Sequence, residues 1–291
     1  MTRFTARQLT VFLLALGVLL SLPALAEPPT RITAGAEHEG SIETRNAAVE
    51  VGDDARVNGN ISARNGGVRI GERVTAGDIE TRNGSVSIGA GSQLGGIQSR
   101  NGSIRIGTGS TVARIETRNG GIEIGRDSTV GGAVESRNGK IDVATNVTVS
   151  GDLEARNGAI ELAPEALVEG SVASRNGDIQ LQQAQVTGNV TSLTGDLILR
   201  QASQVGGNLV IEISEGAGER GWFGFGSARY PEAGSISILE GSEVAGDVII
   251  ALPEDYDREP PTVRVDASSR VMGAIRVDSR VSTVIDGQSG G

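Results

Sequence analysis

The chain lacks cysteine altogether, has one histidine, and carries one tryptophan, two tyrosines and four phenylalanines in 291 residues. Without cysteine there are no disulfides and no thiol nucleophile. A lone histidine cannot build a His/Cys metal cluster, and Ser–His chemistry finds no evident partner for it. His38 reads instead as an exposed bystander. No Gly-Lys-Ser/Thr phosphate loop occurs, and the calcium-binding nonapeptide of β-rolls does not recur. The one long apolar run, Val11 to Leu20, is short for a bilayer span. No metal, cofactor or catalytic set is expected from this inventory.

Residues 1–26 read as a secretion signal. Arg3 and Arg7 give the positive start, Val11 to Leu20 the apolar stretch, and Ala24-Leu25-Ala26 a cleavage site. Without a cysteine after it, a lipoprotein anchor is excluded. The expected product is exported, to the periplasm, the cell surface or the medium, with no transmembrane segment after cleavage. Losing Arg3 and Arg7 leaves 24 basic against 36 acidic residues, a net charge of −12. That balance argues against a general nucleic-acid binder.

What the chain has in abundance is glycine, 43 residues, placed at regular intervals. Ile97 to Arg114 reads IQSRNGSIRIGTGSTVAR, and IETRNGGIEIGRDSTVGGA follows to Ala133. Copies begin at Ile42, Ile61, Ile79, Ile97, Ile115, Val134, Leu153, Val172, Val190 and Leu209, 18 or 19 residues apart. Branched apolar residues stand at positions one, eight, ten and sixteen, as in Ile104/Ile106 and Val112. The spacing of two is strand periodicity. Each copy therefore holds three short strands between glycine corners. One unit cannot bury its apolar side alone, but stacked units can. The expected fold is all-β: a right-handed parallel β-helix of about 11 coils spaced about 4.8 Å apart. It runs over residues 42–286. Residues 27–41 form a polar leader with a partial first coil around Ile32, and 287–291 form a flexible tail.

Alternation places positions one and three inward, two and four outward. Position four is arginine in eight successive copies: Arg45, Arg64, Arg82, Arg100, Arg118, Arg137, Arg156 and Arg175. Like charges one coil apart repel by about 1 kcal/mol in water. Glutamates at position two, Glu43, Glu80, Glu116, Glu135 and Glu154, are expected to offset this as a ladder. The competing reading is a basic stripe about 34 Å long for a polyanion such as an acidic glycan. Position five is asparagine: Asn46, Asn65, Asn83, Asn101, Asn119, Asn138, Asn157 and Asn176, followed by glycine in all but the first. This reads as a structural corner, left-handed in backbone, with amides hydrogen-bonded from coil to coil.

Two interruptions break the later copies, at 215–234 and 253–261, both between positions five and eight. They should leave one corner on adjacent coils and touch. Trp222, Phe223, Phe225, Tyr230 and Tyr256 all lie in them. Insertions on one face of a solenoid commonly bind, so these five are candidate binding residues. The alternative is that they pack the loops onto the flank. Asp255, Asp257 and Glu259 form an acidic loop beside them, the place to look for an enzyme acting on polysaccharide.

The run VTVSGDLEARNGAIELAPEALVEGSVASRNGDIQL, with Val149-Ser150-Gly151, Val168-Glu169-Gly170, Val186-Thr187-Gly188 and Val244-Ala245-Gly246 closing coils, resembles the bactofilins, the polymer-forming cytoskeletal proteins. The resemblance covers roughly 115 to 275. It implies a right-handed β-helix that polymerises through its ends without a nucleotide. Repeat-built adhesins of bacterial envelopes look similar. Bactofilins as a rule lack a cleaved signal, so the expectation is a structural or scaffold protein of the envelope that self-associates. The alternatives are an adhesin or glycan-binding module with an envelope glycan or protein as partner, and, third, a polysaccharide-acting enzyme.

Overall fold

The computed structural model describes residues 28–213 and 230–286. The expected secretion signal, the tail at 287–291 and the candidate residues Trp222, Phe223 and Phe225 lie outside the described residues. The described chain is a parallel β-solenoid whose coils each lay a short strand on three faces. Face 1 carries positions one to three, as in Leu153–Ala155. Face 2 carries positions eight to ten, as in Ile160–Leu162. Face 3 carries positions fifteen and sixteen, as in Leu167–Val168. Face 2 is a parallel sheet of 13 strands, one per coil, from Thr30–Ile32 to Ser282–Ile285. The winding is thus longer than the 11 coils expected. The leader supplies full strands, Thr30–Ile32 and Glu37–Glu39, that pair in register with the first clear repeat. The last partial coil likewise closes on face 2.

Register is what buries the core. Ile104 pairs with Ile122, Ile122 with Ile141 and Ile141 with Ile160. Identical side chains therefore stack in files, and the central ones are wholly buried. His38 falls in such a file, opposite Val57, so it is half-buried and faces inward, not an exposed bystander. The small residues at position three are also inside. Their hydroxyls donate to corner carbonyls one coil earlier: Thr117 to Gly102 at 3.1 Å and Ser136 to Gly120 at 3.1 Å. A second internal file was not legible in the pattern. Ser92, Ser110 and Ser128 are buried, and each accepts a backbone N–H from the coil before at 3.2 to 3.3 Å. Among the described residues no buried side-chain polar atom lacks a partner.

The corners differ from the expectation. The Asn-Gly corner between faces 1 and 2 is not left-handed; no asparagine or glycine of it has positive φ. Glycine is required there because coils pack backbone on backbone. A methyl on Gly102, Gly120, Gly139 or Gly158 would strike the carbonyl of the corner glycine one coil earlier. The left-handed residue sits instead at the corner between faces 2 and 3. It is Asp54, Arg73, Gly91, Gly109, Asp127, Asn146 and Glu165 in successive coils, with φ between 55° and 68°. Each N–H there donates to a carbonyl of the next coil, as Asp54 does to Glu72 at 2.8 Å. These coil-to-coil bonds hold residues that would otherwise avoid that conformation. At the third corner, Asn60, Asp78, Asn208 and Asp247 accept the N–H of the next coil at 2.7 to 2.9 Å.

Candidate functional site

The most regular feature of the surface is the edge where face 1 meets the Asn-Gly corner. Every asparagine of the file from Asn65 to Asn176 donates its side-chain Nδ2–H to Oδ1 of the asparagine one coil earlier, at 2.7 to 2.9 Å. Thr194 closes the ladder by donating to Asn176 at 3.3 Å. The ladder expected from the sequence is therefore present. The backbone underneath is tied in the same rhythm: Asn119 N–H donates to Arg100 O at 3.0 Å and Asn157 N–H to Arg137 O at 2.9 Å.

Beside it, all eight position-four arginines are exposed. The expected glutamate compensation does not form. Among the described residues, no carboxylate lies within 4.0 Å of any of these guanidinium groups. Two of the position-two glutamates are engaged at the other edge of face 1, where Arg114 reaches Glu135 at 2.8 Å and Glu116 at 3.4 Å. Gln98 donates to the same Glu116 at 3.0 Å. Several cations elsewhere find partners, although Arg56, Arg126, Arg200 and Arg270 have no carboxylate within 4.0 Å among the described residues. Arg105 bonds Glu123 at 2.6 Å, Arg73 bonds Asp54 at 2.6 Å, and Lys140 lies 2.6 Å from Asp142 and 2.7 Å from Glu161. The Arg73 guanidinium, hydrogen-bonded to Asp54, holds that carboxyl below its usual range. An open groove of about 430 Å³ runs along face 1 between the two files, bounded by Arg118, Arg137, Arg156 and Arg175 on one side.

The described end of the first insertion, from Tyr230, meets the second insertion on the adjacent coil. Tyr230 and Tyr256 lie with ring centroids 6.2 Å apart. The Tyr230 hydroxyl donates to Asp255 at 2.6 Å, and the Ala233 N–H donates to the Tyr256 oxygen at 2.8 Å. Arg258 donates to the Tyr230 carbonyl at 3.2 Å. Arg280, one coil further on, clamps the second insertion by donating to Pro253 O at 2.7 Å. The same Arg280 bonds Asp278 and holds its carboxyl down at about 2. Both tyrosines are buried, and burial pushes the Tyr256 phenol above its ordinary range. Of the two roles open to Tyr230 and Tyr256, packing fits their buried rings better than binding. Asp255 is engaged with Tyr230, while Asp257 and Glu259 stay exposed.

No family model, curated protein or solved structure matches the chain. The β-solenoid fold stands on its own geometry, and the likeness to bactofilins rests on the residues alone.

Proposed function

We propose that the chain is a non-enzymatic structural protein of a bacterial cell envelope, exported to the periplasm or the cell surface, whose copies add end to end. What supports this reading is the chemistry of the two end coils. Among the described residues, Thr30–Ile32, Glu37–Glu39 and Ile42–Thr44 pair only with the coil that follows. Arg270–Val271, Ile275–Val277 and Ser282–Ile285 pair only with the coil before. Such strand edges present a row of N–H and C=O groups suited to pairing with another chain. The apolar files also run out there. Val248, Ile250 and Val265 are buried, but Ile275, Val277 and Ile285 of the last coil are only half-buried. Met272 and Val284, the large exposed apolar residues among the described ones, lie on the same coil.

The two rims carry opposite charge at equivalent positions of two faces, Glu37 against Arg270 and Glu43 against Arg276, and in the reverse sense Arg45 against Asp278. Glu37, Glu39 and Glu43 point outward at the first coil, Arg270 and Arg276 at the last. A head-to-tail contact brings acid against base, whereas head-to-head or tail-to-tail contacts bring like charges together. A head-to-tail contact is heterologous, and when its rotation does not close a ring it grows an open filament. Sedimentation of the purified protein over a wide concentration range tests the assignment. The expected mass rises with concentration through successive multiples of the protomer. A strict monomer throughout rejects self-association.

A further inference from the structure

The arginine file remains unexplained by the fold or by assembly through the ends. Eight guanidinium groups stand at coil spacing, about 4.8 Å apart, on an edge whose pitch is fixed by backbone bonds and the asparagine ladder. Each is exposed, and among the described residues none has a carboxylate within 4.0 Å. Acidic residues are not scarce, since Arg73, Arg105, Arg114 and Lys140 all have them. A file of unneutralised like charges repels itself, and an anion laid along it relieves that repulsion. Guanidinium is also the cation suited to gripping carboxylates with two parallel hydrogen bonds.

The chemistry of the ligand follows from its surroundings. Single-stranded nucleic acid is held largely by stacking bases on aromatic rings, and this edge has none from Ile42 to Ser192. The phosphates of each strand of double-helical DNA recur about every 3.4 Å, out of step with coils about 4.8 Å apart. The position-two glutamates across the groove also disfavour a densely charged polymer while leaving room for hydroxyls. We propose that this edge binds a linear acidic polysaccharide bearing one carboxylate per sugar, laid along the solenoid axis with successive carboxylates on successive arginines. The proposal is independent of end-to-end assembly.

Isothermal titration of the purified protein with polygalacturonate, at low and moderate salt, tests it. Replacing four file arginines, Arg100→Gln, Arg118→Gln, Arg137→Gln and Arg156→Gln, should weaken binding about tenfold or more and flatten its salt dependence. A control removes the same charge from paired sites, Arg73→Gln, Arg105→Gln, Arg114→Gln and Lys140→Gln, and should change affinity little. Circular dichroism checks the fold of both. If the quadruple variant misfolds, the pair Arg118→Gln and Arg137→Gln carries the test with a smaller loss. Absence of binding, equal loss in the control, or equally tight binding of single-stranded DNA at the same charge concentration would each overturn the proposal.

Discussion

Changing Arg270 and Arg276 to glutamate should strongly weaken end-to-end growth while leaving the solenoid folded. Both side chains are exposed on the last coil. Arg276 lies 3.2 Å from Asp247 yet stays open to solvent. Neither supports the aliphatic files, so the fold should tolerate their loss, as surface sites commonly do. Reversal sets acid against acid at both positions, and the contact between Glu37 or Glu43 and the next copy turns from attraction to repulsion. Surface pairs are screened and individually weak. Two reversed pairs acting together should still lower the association constant by about tenfold to a hundredfold at low salt. The discriminating variant reverses the other rim as well. Adding Glu37→Arg and Glu43→Arg to the double mutant should restore growth, and the two single-rim variants should co-assemble only with partners of matching charge. If the four-site variant stays monomeric, the rims do not guide assembly.

The second large effect falls on the corner glycines. Gly139→Val should destabilise the chain strongly, by about 3 kcal/mol or more, at the upper end of overpacking costs. A β-carbon there strikes the Gly120 carbonyl and backbone, which cannot move without parting the coils. Gly131→Ala is the control. Its added methyl meets nothing closer than Ala113 O at 3.8 Å, and its φ is not in the left-handed region. That change should fall within about 1 kcal/mol, on the stabilising side, through loss of freedom in the unfolded chain. Thermal melts followed by circular dichroism separate the two. Equal effects would show that glycine at position six is not dictated by coil-to-coil approach.

The fold could be read from the sequence because its signal is repeated. A single Ile-x-Ile is ambiguous, but Ile104/Ile106 over Ile122/Ile124 over Ile141/Val143 leaves stacked strands as the simplest packing. The asparagine ladder was legible for the same reason. What escaped was whatever depends on contacts rather than recurrence. Glycine in the Asn-Gly corner suggested a left-handed turn, yet the constraint is the neighbouring coil. The true left-handed corner hides under varied residues, Asp54, Arg73, Asp127 and Glu165, because backbone bonds between coils hold it. Alternation correctly put arginines and glutamates on one face but says nothing of which way side chains lean. Arg114, outside the repeat's pattern, draws Glu116 and Glu135 away from the arginine file. The meeting of Tyr230 and Tyr256 was legible because both interruptions leave the same corner, and their burial matches the packing alternative.

Electron micrographs of the purified protein bear most directly on assembly through the ends. Thirteen coils on face 2, at about 4.8 Å per coil, give an axial repeat of about 60 Å. The account predicts thin, unbranched, polar filaments with that repeat. Single short rods of that length at every concentration, none joined end to end, would contradict it.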